Sequence, residues 1–259
     1  MKLLTRLLEH PLTRGLDLDD PVMTYLRRRI IEQKPLLRSL YREWYETLAR
    51  EIPEGSGRIV EIGAGGGFLD EFVLGAVRSE IFMIPGVDLA FDGQAMPFEA
   101  DALKAIVMTN VFHHVTRPRA FLREAARVLR PGGVVAMLEP WTTLWSRFVY
   151  RRLHHEPFLP AVPDWDLPKG GPLSTSNQAL AWIVFQRDRA LFVREFPEFT
   201  VKSIRLTMPF RYLLSGGVAT RNLMPGWTTP MWREFERLLA PVRNHLAMFA
   251  YVTLERAAE

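Results

Sequence analysis

The feature that most constrains this chain is a short apolar run that ends in a cluster of glycines. Val60-Glu61-Ile62 leads directly into Gly63-Ala64-Gly65-Gly66-Gly67, and Phe68 follows. Glycine is needed where the backbone takes a positive φ or lies against another group with no room for a Cβ. The pattern therefore predicts a buried strand, a tight turn, and a backbone surface that a bound molecule can approach closely.

The rest of the chain places this turn in a parallel sheet, because short apolar runs alternate with helical patterns. The predicted strands are residues 58–62, 77–82, 87–91, 103–109, 134–138, 200–208 and 246–254. The predicted helices are residues 21–52 with a break at Pro35, 68–75, 117–129, 177–194 and 229–239. We expect an α/β fold with a doubly wound, mostly parallel seven-stranded sheet and helices on both of its faces.

Two breaks suggest how the chain is divided. Pro53 to Gly57 separates an N-terminal helical cap, residues 1–57, from an α/β domain, residues 58–259. Within that domain, residues 140–171 are rich in proline and tryptophan and follow the fifth strand. We expect an inserted lid over about residues 140–195.

Composition excludes several classes of protein. The chain has no cysteine, so disulfides, thiolate metal sites and cysteine nucleophiles are ruled out. It has no apolar stretch of about 18 residues and no signal-peptide pattern at its start, so we expect a cytoplasmic protein. The net charge is +4, and the run Arg27-Arg28-Arg29 fits a solvated helix face better than a nucleic-acid site. Peripheral membrane contact and a homodimer stay open.

The glycine turn does not follow the dinucleotide-binding fingerprint. In a Gly-x-Gly-x-x-Gly count from Gly63, the third glycine position holds Phe68, and in a count from Gly65 it holds Asp70. Glu61 would also sit poorly beside a pyrophosphate and suits a cationic ligand instead. A nicotinamide-dependent oxidoreductase is therefore disfavoured.

Glu61-x-Gly63-x-Gly65-x-Gly67 resembles motif I of the class I S-adenosylmethionine-dependent methyltransferases. Later segments resemble further blocks of that family: Asn110 to Val115, the helix from Phe121 to Leu129, and Arg130-Pro131-Gly132-Gly133. The resemblance is to the type 11 branch, which includes the ubiquinone-biosynthesis methyltransferases. It covers about residues 58–139.

The resemblance implies a Rossmann-like domain that binds S-adenosylmethionine and releases S-adenosylhomocysteine. It implies one acid at the second strand for the ribose, which is either Glu80 or Asp88, and Asp92 for the adenine amine. Carboxylates suit these roles because the ribose diol and the amine are donors. The implied cofactor-binding residues are Glu61, Gly63, Ala64, Gly65, Gly67, Glu80, Asp92, Gly93, Gln94 and Asn110.

Histidines supply the candidate catalytic residues. His113 and His114 follow the fourth strand, at the crevice side of the sheet, and His155 lies in the expected lid. Histidine can take a proton near neutral pH, although a helix-capping or core role is an alternative. His155 or Glu156 could face the pocket, and a solvated loop is the other interpretation. We expect no metal, because adjacent histidines such as His154 and His155 point in different directions on most backbones.

The sequence thus predicts an enzyme that transfers a methyl group in line to a small organic metabolite. The acceptor could be an oxygen, nitrogen or carbon atom. One alternative keeps the fold and the cofactor but catalyses a cyclisation, decarboxylation or rearrangement. A second alternative is a non-catalytic module that binds protein or an anionic membrane surface through its arginines.

Overall fold

A seven-stranded sheet forms the centre of the computed structural model, which describes residues 10–154 and 156–258. The strands are Arg58–Ile62 (β1), Val77–Glu80 (β2), Leu89–Ala90 (β3), Leu103–Thr109 (β4), Leu129–Pro140 (β5), Phe199–Thr207 (β6) and Phe249–Arg256 (β7). They lie in the order β3-β2-β1-β4-β5-β7-β6. The first five are parallel, and β7 runs antiparallel to both β5 and β6. The predicted mostly parallel seven-stranded sheet is confirmed.

Short helices connect and cover these strands. The α-helices are Pro21–Gln33 (α1), Pro35–Ala49 (α2), Pro118–Val128 (α3), Leu144–Arg152 (α4), Leu180–Trp182 (α5), Arg189–Glu195 (α6), Arg211–Ser215 (α7), Thr229–Leu238 (α8) and Arg243–Leu246 (α9). A π-helical turn, Ile183–Arg187, joins α5 to α6. Single 3-10 turns occupy Ala64–Gly66, Leu69–Glu71, Phe112–His114, Gly226–Thr228 and Ala240–Val242. Among the described residues, no helix has both the length and the hydropathy needed to cross a membrane.

Local chemistry sets where the main helices begin. The Asp20 side chain accepts a hydrogen bond from the backbone of Val22 at the start of α1, and Pro21 takes the first helical position. Pro35 and Pro118 likewise take the first helical position of α2 and α3, where no side chain caps the helix. At α4, Thr143 and Ser146 form a reciprocal capping box.

Several predicted elements differ from the structure. No α-helix forms over residues 68–75, where the described backbone makes only the 3-10 turn Leu69–Glu71. Gly67 and Gly75 bracket this segment, and Gly75 has a φ of +75° that does not fit a right-handed helix. The third strand is only Leu89–Ala90, so Asp88 precedes it instead of lying inside it. The predicted helix over residues 177–194 is broken by the π-helical turn.

The fifth and last strands also shift. β5 begins at Leu129, and the predicted stop at Arg130 to Gly133 becomes an irregularity within the strand. There Gly132 takes a φ of +73°, and the register with β4 shifts between Leu103 and Ala105. β7 begins at Phe249 and not at residue 246, because the short helix α9 ends at Leu246.

One hydrophobic core joins the N-terminal helices to the sheet. Trp44 and Leu40 of α2 are fully buried in the same cluster as Ile106 of β4 and Ala136 of β5. The packing of α1 and α2 brings them over the carboxyl ends of the strands, where α1 contacts the turn Ala64–Gly66. The division of the chain at residue 57 stays a prediction.

Candidate active site

A cavity of about 360 Å³ lies at the carboxyl ends of the parallel strands. Ligands of doubly wound folds bind at this edge, where the strand order reverses, and here the reversal falls between β1 and β4. Residues at or just after the ends of four neighbouring strands line it: Gly63, Glu80, Asp92 and Asn110. Residues of the N-terminal helices and of the segment after α4 close it: Arg27, Tyr41, Tyr45, His154, Glu156 and Gln178.

The glycine turn is held tightly between two parts of the fold. Gly63 has a φ of +74°, and a Cβ there would overlap the side chain of Val111. A Cβ at Gly67 would overlap the Tyr45 hydroxyl of α2. Arg28 of α1 donates from Nη1 to the Gly67 carbonyl over 3.1 Å. The N-terminal helices therefore fix the conformation of the turn, and Gly63 and Gly67 present their backbone to the cavity.

Two acids near β2 have different surroundings. Glu80 is buried and lines the cavity, and its carboxylate accepts from the backbone of Gly65 at 3.1 Å and of Ile81 at 3.0 Å. Burial raises its pKa above the usual value. Asp88 accepts from the Arg78 guanidinium and backbone, which lowers its pKa, and it does not line the cavity. The structure thus brings Glu80 to the cavity and leaves Asp88 on the surface.

Asp92 follows β3 and is connected to the start of α3. Its Oδ1 accepts from the Gln94 backbone at 2.8 Å and from Gln94 Nε2 at 2.9 Å. Gln94 Oε1 in turn accepts from the backbone of Arg117 at 2.9 Å and from Thr116 Oγ1 at 3.2 Å. This network fixes the wall that Asp92 and Gln94 contribute to the cavity.

Three buried polar atoms beside the cavity have no hydrogen-bond partner within the described ranges. They are Oε2 of Glu61, Oγ1 of Thr109 and Oδ1 of Asn110. Glu61 is 1% exposed, and its burial raises the pKa of its carboxyl to about 8 although the Tyr45 hydroxyl donates to it. Asn110 takes a φ of +58°. Buried polar atoms normally find a partner, so these three indicate that a polar ligand or water completes the site.

A buried glutamate organises the turn after β4. Glu139 of β5 accepts from the backbone of Val111 at 2.8 Å, of Phe112 at 2.7 Å and of His113 at 3.2 Å. It also lies 2.7 Å from Nδ1 of His113. One carboxylate therefore holds both the backbone of the 3-10 turn and the orientation of the His113 ring.

The two adjacent histidines face the cavity with opposite protonation tendencies. Burial alone would lower the pKa of His113, but the carboxylates of Glu139 and Glu156 raise it to about 9. Burial and the neighbouring His113 lower the pKa of His114 to about 3. Nε2 of His113 lies 3.5 Å from Oε2 of Glu156, and Nδ1 of His114 lies 3.0 Å from the Thr175 carbonyl.

The sequence profile of the methyltransferase domain family matches residues 34–188. The chain belongs to this family. Demethylmenaquinone methyltransferase from Roseiflexus castenholzii is 35% identical over 111 residues, which are 36% of this chain and 47% of that protein. The matched region thus spans about half the length of this curated relative. The resemblance to class I S-adenosylmethionine-dependent methyltransferases is confirmed.

A solved structure shares the fold of this methyltransferase family member. It is the methyltransferase in complex with the Trm112 methyltransferase activator of Haloferax volcanii. The TM-score is 0.51 at 14% identity, with 94% of this chain and 99% of that chain covered. At this level of identity the likeness concerns the fold alone.

Most of the residues expected to bind the methyltransferase cofactor lie on the cavity wall. They are Gly63, Gly67, Glu80, Asp92, Gly93, Gln94 and Asn110. Ala64 and Gly65 do not line the cavity, and a Cβ at Gly65 would overlap the side chain of Thr24 in α1; Glu61 lies behind Gly67. His113 and His114 line the cavity, whereas His155 lies outside the described residues.

Sequence reasoning gave Glu139, Tyr150 and Gln178 no role in a site and assigned Arg27 to a solvated helix face, although Glu139 contacts the cavity-lining His113 and the other three line the cavity. Glu139 carried one signal that could have revealed it. It is a charged residue near the end of an otherwise apolar strand, and a carboxylate is retained in such a place only when donors surround it. The other three reach the site through the tertiary fold, and no local pattern marks them.

Proposed function

We propose that this protein uses S-adenosylmethionine to methylate a small organic molecule. One observation carries the proposal: Gly63, Glu80 and Asp92 lie at or just after the ends of three successive strands and line a single cavity, to which His113 and His114 also contribute. The family supports the reaction type. The proximity of the expected cofactor residues to two histidines supports a site in which cofactor and acceptor meet.

The residues present fit the cofactor. Glu80 is positioned to accept from the ribose hydroxyls, and Asp92 from the adenine side, because both present carboxylate oxygens at the cavity. Asn110 offers a carbonyl oxygen that has no partner among the described residues, which suits the ammonium of the methionine part. Glu61, which lies behind Gly67, would add negative charge beneath that position once a bound cation has displaced its proton.

When bound, S-adenosylmethionine supplies a methyl group on a sulfonium, ready for in-line transfer to a nucleophile. The protein has to position the acceptor and manage its proton. We assign these tasks to His113 and His114, whose rings are held by Glu139 and by the Thr175 carbonyl. The role expected for His155 stays a prediction. Tyr45 of α2 and Glu156 of the segment after α4 also line the cavity.

The size of the cavity favours a small acceptor. Its volume of about 360 Å³, which cofactor and acceptor would have to share, lies at the low end of the range of roughly 300–1,000 Å³ that is typical of small-molecule sites. The segment after α4, through His154, Glu156 and Gln178, and the N-terminal helices both contribute to its wall. We therefore propose a small metabolite and not a nucleic acid as the acceptor. Cytoplasmic location and a homodimer stay predictions.

The test is a product analysis with acceptors that offer hydroxyl, amine or carbon nucleophiles. We expect one of them to gain a methyl group, with one S-adenosylhomocysteine released for each product molecule. A product of unchanged mass formed without cofactor consumption would favour the non-methylating alternative and contradict the proposal. Protein with Asp92→Ala serves as the control and should lose turnover.

A further inference from the structure

The structure gathers two imidazoles and a carboxylate at one point of the cavity wall. His113 and His114 come from the 3-10 turn Phe112–His114, and Glu156 comes from the segment after α4. One ligand atom from each residue lies within 4.8 Å of the other two. The two histidine ring centroids are 4.2 Å apart, so these adjacent rings converge instead of diverging.

The second nitrogen of each ring is already engaged. Nδ1 of His114 lies 3.0 Å from the Thr175 carbonyl, which can only accept a hydrogen bond. Nδ1 therefore carries the proton, and Nε2 keeps its lone pair. Nδ1 of His113 lies 2.7 Å from Glu139, which likewise accepts from it. Histidines that bind metals nearly always donate their other N–H to a carboxylate or a carbonyl in this way.

Glu156 is also held in place. Its backbone N–H donates to Nδ1 of His154 over 3.2 Å, and Nε2 of Gln178 donates to its Oε2. That Oε2 lies 3.5 Å from Nε2 of His113. In a tetrahedral site with bonds near 2.0–2.1 Å the ligand atoms lie about 3.4 Å apart, so this pair already has the required spacing.

The donor set matches a particular class of ion. Two neutral imidazoles and one carboxylate form the ligand set of catalytic zinc sites, which leave a fourth position open. An ion bound here would displace the second proton of the His113 ring. All three residues line the cavity, so an open position would face the space expected for the acceptor. A proton shared by His113 and Glu156 satisfies only that pair, whereas a metal also uses the lone pair of His114.

We propose that His113, His114 and Glu156 bind a divalent transition-metal ion of the Zn²⁺ class, with Glu139 and the Thr175 carbonyl as positioning groups. This differs from the sequence-based expectation of no metal. The ion would connect the turn after β4 to the segment after α4, and so fix the covering segment against the sheet. Metal binding does not depend on the proposed methyl transfer, but it uses the same two histidines. With an ion bound, their Nε2 atoms would hold the ion, so their part in the proposed function would be to position the acceptor and not to take its proton.

The test uses the full-length protein, stripped with a chelator and titrated with Zn²⁺ in the absence of any other ligand. We expect one equivalent to bind with micromolar or tighter affinity. His114→Ala and Glu156→Gln should each weaken binding at least tenfold, and His245→Ala, at an exposed histidine of α9, should not. Bound Co²⁺ should give the visible absorption of a tetrahedral site.

The positioning role of Glu139 has its own variant. Glu139→Gln should keep one-to-one stoichiometry and weaken Zn²⁺ binding by roughly 10–100-fold, as is found for outer-shell partners of metal ligands. Circular dichroism would establish that each variant is folded. His114→Ala and Glu156→Gln that bind Zn²⁺ as tightly as the wild type would overturn the proposal, as would a wild-type protein that binds none.

The same samples separate this proposal from the proposed function. Asp92→Ala, which removes a proposed cofactor residue and none of the three proposed ligands, should lose S-adenosylhomocysteine binding and keep the wild-type affinity for Zn²⁺. In the wild type, Zn²⁺ binding without cofactor binding would support the metal site and contradict the methyltransferase proposal. Cofactor binding without Zn²⁺ binding would support the methyltransferase proposal and contradict the metal site.

Discussion

The backbone N–H of Gly65 donates to Oε2 of Glu80 over 3.1 Å, which ties the glycine turn to the carboxyl end of β2. The same carboxylate accepts from Ile81 and lines the cavity. Glu80 thus has a structural contact and a face toward the expected ribose. Asp88, the other acid of this region, is directed to Arg78 on the surface.

Glu80→Gln should weaken S-adenosylhomocysteine binding by roughly 10–100-fold, because hydrogen bonds to a charged group contribute about 1.5–3 kcal/mol. Asp88→Asn is the matched control, since it removes a nearby acid that does not line the cavity, and it should leave binding unchanged. Isothermal titration of both variants checks this. If both variants bind S-adenosylhomocysteine with the same affinity, Glu80 does not bind the ribose.

Proton release should accompany cofactor binding at pH 7. Burial raises the pKa of Glu61 to about 8, so its carboxyl is largely protonated before a cation binds. A bound ammonium and sulfonium lower that pKa and drive the proton off, so affinity should rise with pH between about 6 and 8. Titrations in two buffers with different ionisation enthalpies measure the released proton, and Glu61→Gln should abolish it. A wild-type heat that is independent of the buffer would contradict this.

The N-terminal helices should contribute strongly to stability through Trp44. It is fully buried, with its ring centroid 5.7 Å from that of Tyr212 and 5.9 Å from that of Phe249. Trp44→Ala should reduce the free energy of unfolding by about 3–5 kcal/mol. Trp227 is 81% exposed, and Trp227→Ala should change the free energy of unfolding by less than about 0.5 kcal/mol. Denaturant unfolding followed by circular dichroism compares them, and similar midpoints would show that α2 is not part of the core.

Stability should increase with pH above about 8 because of Lys34. Its Nζ donates to the carbonyls of Gly217 and Thr220, and burial lowers its pKa from 10.5 to about 8. Between these two values the unfolded chain binds more protons than the folded one, so the free energy of unfolding rises with pH. Unfolding measured from pH 7.5 to 9.5 should show this rise in the wild type. In Lys34→Met the free energy of unfolding should stay nearly constant over this pH range. If it rises as steeply as in the wild type, another group causes the effect.

Two strands could be predicted residue by residue because the residues on either side of them determine where they begin and end. β1 and β4 are apolar runs flanked by breaking residues, and both match the structure at each end. The helix predicted after the glycine turn was wrong for a different reason. Phe68 and Phe72 fit a helical period, but their rings pack against Tyr45 of α2, so contacts with distant residues satisfy them without a helix.

For the site too, residues marked by the local sequence could be predicted, and contacts made by the tertiary fold could not. The places of Gly63, Glu80 and Asp92 on the cavity wall could be predicted, since each lies at or just after the carboxyl end of a strand that faces the crevice. The pairing of His113 with Glu139 and Glu156 could not, because it joins residues 26 and 43 positions apart in the chain. Which partner a buried histidine meets is decided by how β5 and the segment after α4 pack, and the local pattern around His113 does not contain that information.

The most direct test of the account is isothermal titration of the wild-type protein with S-adenosylmethionine and S-adenosylhomocysteine. We predict one site with micromolar affinity for both ligands, lost when Asp92 is replaced by alanine. A folded protein that binds neither ligand at millimolar concentration would contradict the assignment of this cavity as a cofactor site.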